Sequence, residues 1–160
     1  MQHEGSLQVS QREYIMAKII LLDGAMGTML QERGLAPGMN PSIYGMKNPD
    51  ILRNVHKEYI KAGSDVILTN TFSANADKLD GTGENVGEVV VASVKAAKNV
   101  AKKADKKIKV ALDIGPIGML MEPFGSLTFD RAYEIFAEII KAGDKAGADI
   151  IYFETMSSLQ

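Results

Sequence analysis

The chain has 160 residues, the length of one domain, and 46% of them are hydrophobic against 24% charged, which excludes a disordered chain. A formal net charge of -2 offers no basic surplus for nucleic acid, and no apolar run approaches the ~20 residues that span a membrane. There is no cysteine, so neither disulfides nor thiolate metal ligands can come from these residues.

Residues 1–17 are polar and lack the apolar core of a secretion signal. They read as an ordered arm, a tail, or leader sequence ahead of a start at Met16, and a cytoplasmic location is the plain expectation. His3 lies in this arm. The first β-rich run follows, "KIILLD" (18–23), ending on Asp23 with no basic residue beside it. Gly24, Ala25, Met26, Gly27 and Thr28 come next. Their small side chains expose backbone N–H groups of the kind that hold anions, although the Gly-Lys-Ser/Thr ending of a P-loop is absent. A long Gly/Pro loop covers 34–47.

"NPDILRNVHKEYIKAG" then predicts a helix from Pro49 to a stop at Gly63, with Asn48 as its N-cap. Ile51, Leu52, Val55 and Tyr59 share its apolar face, and His56 is expected on the polar side without a ligand role. The second strand, "DVILTN" (65–70), ends at Asn70, followed by Thr71. A helix from about Val86 to Lys103 buries Val86, Val90, Val94, Ala97 and Ala101. The lysines at its end read as a solvated exit rather than a binding patch.

The third strand, "IKVALD" (108–113), ends at Asp113 and leads into the loop "GPIGMLMEPFGSL" (115–127). Glu122 and Phe124 on that loop could close over a ligand, with loop packing of Phe124 slightly preferred. The nine methionines read as core filling. A third helix starts behind Thr128 as cap, and a fourth strand, "DIIYFE" (149–154), ends at Glu154.

Strand ends thus recur every 41–47 residues, one βα unit apart. The expected fold is α/β: a parallel sheet of four strands with three helices, each strand covered on both faces. Ligands of such folds bind beyond the carboxyl ends of the strands. Those ends carry three acids and one amide. Acids without local cations need a cationic partner or raised pKa values. An acid next to an anion-holding turn suits a zwitterion, hence an amino acid. Helix capping is the competing explanation, at even odds for Asn70 and Asp113 and weaker for Glu154, since Glu caps poorly.

Four segments carry a resemblance: "LLDGAMGTML", "NPDILRNVHKEYIKAGSDVILTNTFSAN", "ALDIGPIGMLMEPFGSLTFDRAYEIFAE" and "AGADIIYFETMS". In this order and spacing they resemble the homocysteine S-methyltransferase family, and within it the homocysteine-binding region of cobalamin-dependent methionine synthases. The resemblance implies a (β/α)8 TIM barrel, of which residues 18–160 correspond to the first half. It implies that acids matching Asp23 and Glu154 hold the amino group of homocysteine, and that backbone at Gly24, Ala25 and Met26 helps hold its carboxylate. Asn70 and Thr71 complete the implied substrate-binding set.

In the family, zinc on three cysteines activates the thiol, and methylcobalamin, recharged from methyltetrahydrofolate, donates the methyl group. Those cysteines belong to the second half of the barrel, so no catalytic or metal residue is expected within this chain. Two departures stand out: Asp113 where many members have a small residue, and Leu68 where an acid is frequent. The chain is expected to be a truncated fragment that holds the amino acid and needs the other half-barrel, with cobalamin and folate domains, for catalysis. The alternative is a non-catalytic half-barrel that binds an amino acid or a partner chain. A homodimer through open sheet edges is the expected assembly.

Overall fold

The computed structural model describes residues 19–157, so the polar arm with His3, and Lys18, lie outside the described residues. Three strands form one parallel sheet in the order β1 (Val66–Leu68), β2 (Lys109–Ile114), β3 (Ile150–Phe153). Register pairs Leu68 with Ala111 and Asp113 with Tyr152. Helices α5 (Val86–Ala101) and α6 (Phe129–Ala146) supply the crossovers between neighbouring strands, and α3 (Pro49–Ala62) leads into β1. Three short helices complete the set: α1 (Met26–Gln31), α2 (Pro41–Lys47) and α4 (Ala76–Leu79).

The expected count of four strands and three helices is therefore corrected to three strands and six helices among the described residues. The first run, at 18–23, is reduced to a single parallel bridge between Leu22 and Val66. The reason is local. Leu21 C=O accepts the N–H groups of both Asp65 and Val66, Asp23 N–H donates to Val66 C=O, and three residues later the chain is already helical in α1. The segment still lies beside β1 and extends the parallel order.

Apolar β-branched residues build the core where expected. Leu112 and Ile114 of β2 pack with Val89, Val90 and Val94 of α5 and Ile135 and Ile139 of α6. Ile67 and Val110 pack with Ala97. Coverage on both faces holds along β2 and at Val66 and Ile67 of β1. In β3 burial alternates, leaving Ile151 and Phe153 exposed, because the face they share is only partly covered.

Helix ends follow side-chain chemistry. Asn40, Asn75, Asn85 and Thr128 accept first-turn N–H groups of α2, α4, α5 and α6. Asn48 does hold the N-cap position of α3, but its side chain makes no cap bond; its amide donates to Tyr44 C=O at 2.9 Å, closing the junction with α2. Gly63 ends α3 at φ 119°, a conformation that residues with a Cβ rarely adopt.

His56 is a second correction. It is 0% exposed, and neither ring nitrogen has a hydrogen-bond partner. Helix α3 packs on α1, α2, α5 and β1, so the face that looks polar from its periodicity is covered by neighbouring elements. Burial pushes its pKa down to about 4, so the ring is neutral.

Candidate functional site

A cleft of about 460 Å³ opens at the carboxyl ends of the strands. Asp23, Gly24, Ala25, Met26, Asn70, Asp113 and Glu154 line it, so one site gathers residues up to 131 positions apart. Thr71 is not part of the lining. Its hydroxyl is buried and donates to Asp113 C=O at 2.6 Å. Sequence reasoning missed Ser42, Phe72, Ser73 and Tyr152, which also line the cleft. Their side chains carry no pattern that distinguishes them from ordinary loop and strand residues.

Among the described residues none of the helices takes Asp23, Asn70 or Asp113 as its N-cap, and no helix after Glu154 is described. The Asp23 carboxylate instead reaches across the sheet, where its Oδ2 accepts Leu68 N–H at 3.0 Å; its Oδ1 is buried without a partner. Asn70 is a strut: its N–H donates to Ser93 Oγ at 2.7 Å and its amide nitrogen donates to Pro41 C=O at 2.7 Å. That second bond requires Gly45 in α2, since a Cβ there would collide with the Asn70 amide nitrogen. Thr155, directly after Glu154, takes a left-handed φ of 59°, rare for a β-branched residue, and turns the chain sharply at the mouth of the cleft.

Tyr59 supports the site from beneath. Its hydroxyl donates to Ala25 C=O at 3.3 Å, and a Cβ on Gly24 would sit 3.2 Å from its ring edge. Burial raises its pKa, and the Asp23 charge adds to the rise. The sequence marked Tyr59 as an apolar-face residue; nothing in its spacing shows the contact with the turn 24–27.

The acids perturb one another. Burial pushes Asp23 up to about 7, opposed by the Leu68 N–H and reinforced by the Glu154 charge. Burial pushes Asp113 to about 7 as well, with the charges of Glu154 and then Asp23 adding to it. Among the described residues no lysine, arginine or histidine lines the cleft. Carboxyl groups so raised, in a cleft without cations, are poised for a cationic ligand.

A separate groove of about 210 Å³ beside α6 is bounded by Met119, Met121, Phe129, Tyr133 and Phe136. It gathers no set of charged groups, so the acid cleft is the candidate site. Phe124 lies on the same loop but is 87% exposed, so the packing expected of it is absent.

The family profile described as Homocysteine S-methyltransferase matches residues 20–160. The chain belongs to the homocysteine S-methyltransferase family. Within the family it is 29% identical to a methionine synthase of Mycobacterium leprae over 160 residues, covering 92% of this chain and 13% of that protein. The fold matches the crystal structure of the homocysteine methyltransferase MmuM from Escherichia coli in its metallated form, with a TM-score of 0.76 at 24% identity over 91% of this chain and 57% of that one. The apo form of MmuM superposes with a TM-score of 0.63 at 25% identity, covering 86% and 49%. The chain therefore spans about half the length of the MmuM structures and a small part of the methionine synthase. Family membership does not bring a metal centre with it: these 160 residues contain no cysteine, and the described residues hold no group of three potential His, Cys, Asp or Glu ligands. The residues present do not fit a thiolate-held zinc. Among the described residues, no helix is long and apolar enough to cross a membrane.

Proposed function

We propose that the cleft holds homocysteine as its zwitterion, within a methyltransferase that converts homocysteine to methionine. The ammonium group sits between Asp23 and Glu154. The substrate carboxylate rests on the backbone at Gly24, Ala25 and Met26, where α1 begins without a side-chain cap to occupy its first N–H groups. One observation carries this reading: three carboxyl groups converge in a cleft that no cationic side chain among the described residues lines. Asn70 shapes the wall, and Thr71 acts from behind it.

The resemblance of the four quoted segments to cobalamin-dependent methionine synthases favours methylcobalamin, recharged from methyltetrahydrofolate, as the methyl source. A zinc that activates the thiol would take its thiolates from outside these 160 residues, and no step on this chain runs through it. The 160-residue chain by itself is expected neither to bind zinc stoichiometrically nor to turn over homocysteine, because a neutral thiol, with a pKa near ~8.5, is a weak nucleophile at neutral pH. Zinc analysis with a methyl-transfer assay checks this, and turnover would overturn it. Ile19, Ile20 and Leu21 at one edge and Ile151 and Phe153 at the other are exposed, which supports self-association of the chain when it is alone. Light scattering at micromolar concentration reads this directly.

Calorimetric titration with L-homocysteine tests the site. Asp23→Asn and Glu154→Gln are each expected to lose roughly 1.5–3 kcal/mol of binding, the value of a charged hydrogen bond. Wild-type affinity in both variants would remove the ammonium role of these acids.

A further inference from the structure

Asp113 does not behave as a structural aspartate. It sits in β2, the middle strand, next to β3, which leads into Glu154, while the segment that carries Asp23 lies beyond β1 on the other side. Its backbone is pinned on both sides: its N–H donates to Thr69 Oγ1 at 3.0 Å, and its C=O accepts from Thr71 Oγ1 at 2.6 Å. The two threonine hydroxyls are themselves 2.7 Å apart. Its side chain receives no such support. Asp113 is only 6% exposed and lines the cleft, yet its Oδ1 is buried with no hydrogen-bond partner. A buried acceptor left open destabilises the free protein, and here it belongs to a residue that lines the space a ligand would fill.

We propose that Asp113 is a third acid for the ligand's ammonium group, accepting the N–H that Asp23 and Glu154 leave over, and so selects a primary ammonium. The inference rests on the reading of this cleft as an amino-acid site. An ammonium has three donors, and the outer chain segments supply two acceptors, Asp23 and Glu154. The middle strand supplies the third, held in place by Thr69 and Thr71.

A second consequence is proton exchange. The titratable groups facing Asp113 are Asp23 on one side and Glu154 on the other, with the Tyr152 phenol in the same lining. Helices α1 and α2 contribute Met26, Gly27, Pro41 and Ser42, none of which titrates. In the free cleft the crowded acids retain protons near neutrality. An arriving ammonium favours the ionised form, so a proton leaves Asp113 for solvent as the cation enters.

The experiment is calorimetric titration of the 160-residue chain with L-homocysteine at pH 7, in two buffers of different ionisation enthalpy. Wild type, Asp113→Asn and Glu154→Gln are compared. Any thiol ionisation is common to all three and drops out of the differences. Asp113→Asn is expected to bind roughly tenfold more weakly and to release fewer protons, because one charge-assisted hydrogen bond is lost. N-methyl-L-homocysteine is expected to bind wild type more weakly than homocysteine, with a smaller penalty on Asp113→Asn. A structural role for Asp113 would not move proton release or this selectivity. Should Asp113→Asn fail to fold, the carboxyl-carbon NMR signal of Asp113 in wild type reads the same proton loss when homocysteine is added. Wild-type affinity and proton release in Asp113→Asn, with binding lost in Glu154→Gln, would overturn the role of Asp113 and leave the site standing. No binding of homocysteine to wild type would overturn both.

Discussion

The acid cleft and the interior around His56 both contain buried polar atoms without partners, and they differ in what can reach them. Asp23 and Asp113, whose Oδ1 atoms are the orphans on one side, line a space of about 460 Å³ that a ligand can enter. The two nitrogens of His56 are sealed beneath α3, where no cleft among those described reaches. The same defect is therefore a binding device in one place and a plain cost in the other. Their responses to acid are also opposite. Burial raises the two aspartates and lowers the histidine.

The signs follow from proton counting. Folded His56 takes up its proton near 4, while the unfolded residue does so near 6.5. The unfolded state binds more protons in that window, so stability is lost as pH falls from 6.5 towards 4. The folded aspartates hold their protons up to about 7, whereas the unfolded ones release them near 3.8. The folded state binds more protons there, so stability is lost as pH rises through that window. The two regions oppose each other between pH 4 and 6.5, and only variants separate them.

The largest effect is expected at His56. His56→Leu removes the sealed nitrogens and should gain roughly 3 kcal/mol over wild type at pH 4 relative to pH 7, the equivalent of the displaced titration. Denaturant melts at both pH values measure it, and the aspartate contributions cancel in the difference. An identical pH dependence in both proteins would mean that the ring has found a partner.

Ser93→Ala makes an uncharged orphan for comparison. It strips the acceptor from Asn70 N–H, at a cost of about 1–3 kcal/mol. That loss should be the same at every pH, since nothing titrates; a pH-dependent loss would show that the cleft acids respond to this strut.

On the cleft side, Asp113→Asn is expected to be more stable than wild type at pH 8 by about 1–2 kcal/mol, after discounting for solvent screening. The gain should vanish near pH 4, where the folded wild-type carboxyl is already neutral. A loss of stability at pH 8 would show that the ionised group has a partner. The smallest effect belongs to Tyr59→Phe. One hydrogen bond to Ala25 C=O goes, costing about 0.5–1.5 kcal/mol in thermal stability, with a modest loss of homocysteine affinity if the turn at 24–27 loosens.

Much of this was legible in the residues themselves. Runs such as "IKVALD" and "DVILTN" mark parallel strands because β-branched apolar residues suit a pleated surface covered on both sides. Pro49, Gly63 and Thr128 mark helix ends through fixed φ, positive φ and a hydroxyl acceptor. The acids at the strand ends pointed to a cationic ligand before any coordinates, because strand ends of a parallel sheet converge by topology. Short helices such as α1 and α4 escaped notice because six or four residues give periodicity too little length to show.

What the sequence determined by itself was therefore local: which segments extend, which coil, where they stop, and which charges stand at their ends. Tertiary structure alone decided exposure and partnership. His56 occupies a position that reads as polar along α3, and it is buried because α1, α2, α5 and β1 close over that helix. Asn70 and Thr71 share one tetrapeptide, yet the first borders the cleft and the second turns its hydroxyl to the middle strand. Asp113 reads as one more strand end, and it becomes the open acceptor of the site because Thr69 and Thr71 hold its backbone and leave its carboxyl unsupported. Backbone preference acts between neighbours in sequence. Burial and hydrogen-bond partnership depend on residues tens of positions away, and only the packed chain brings those together.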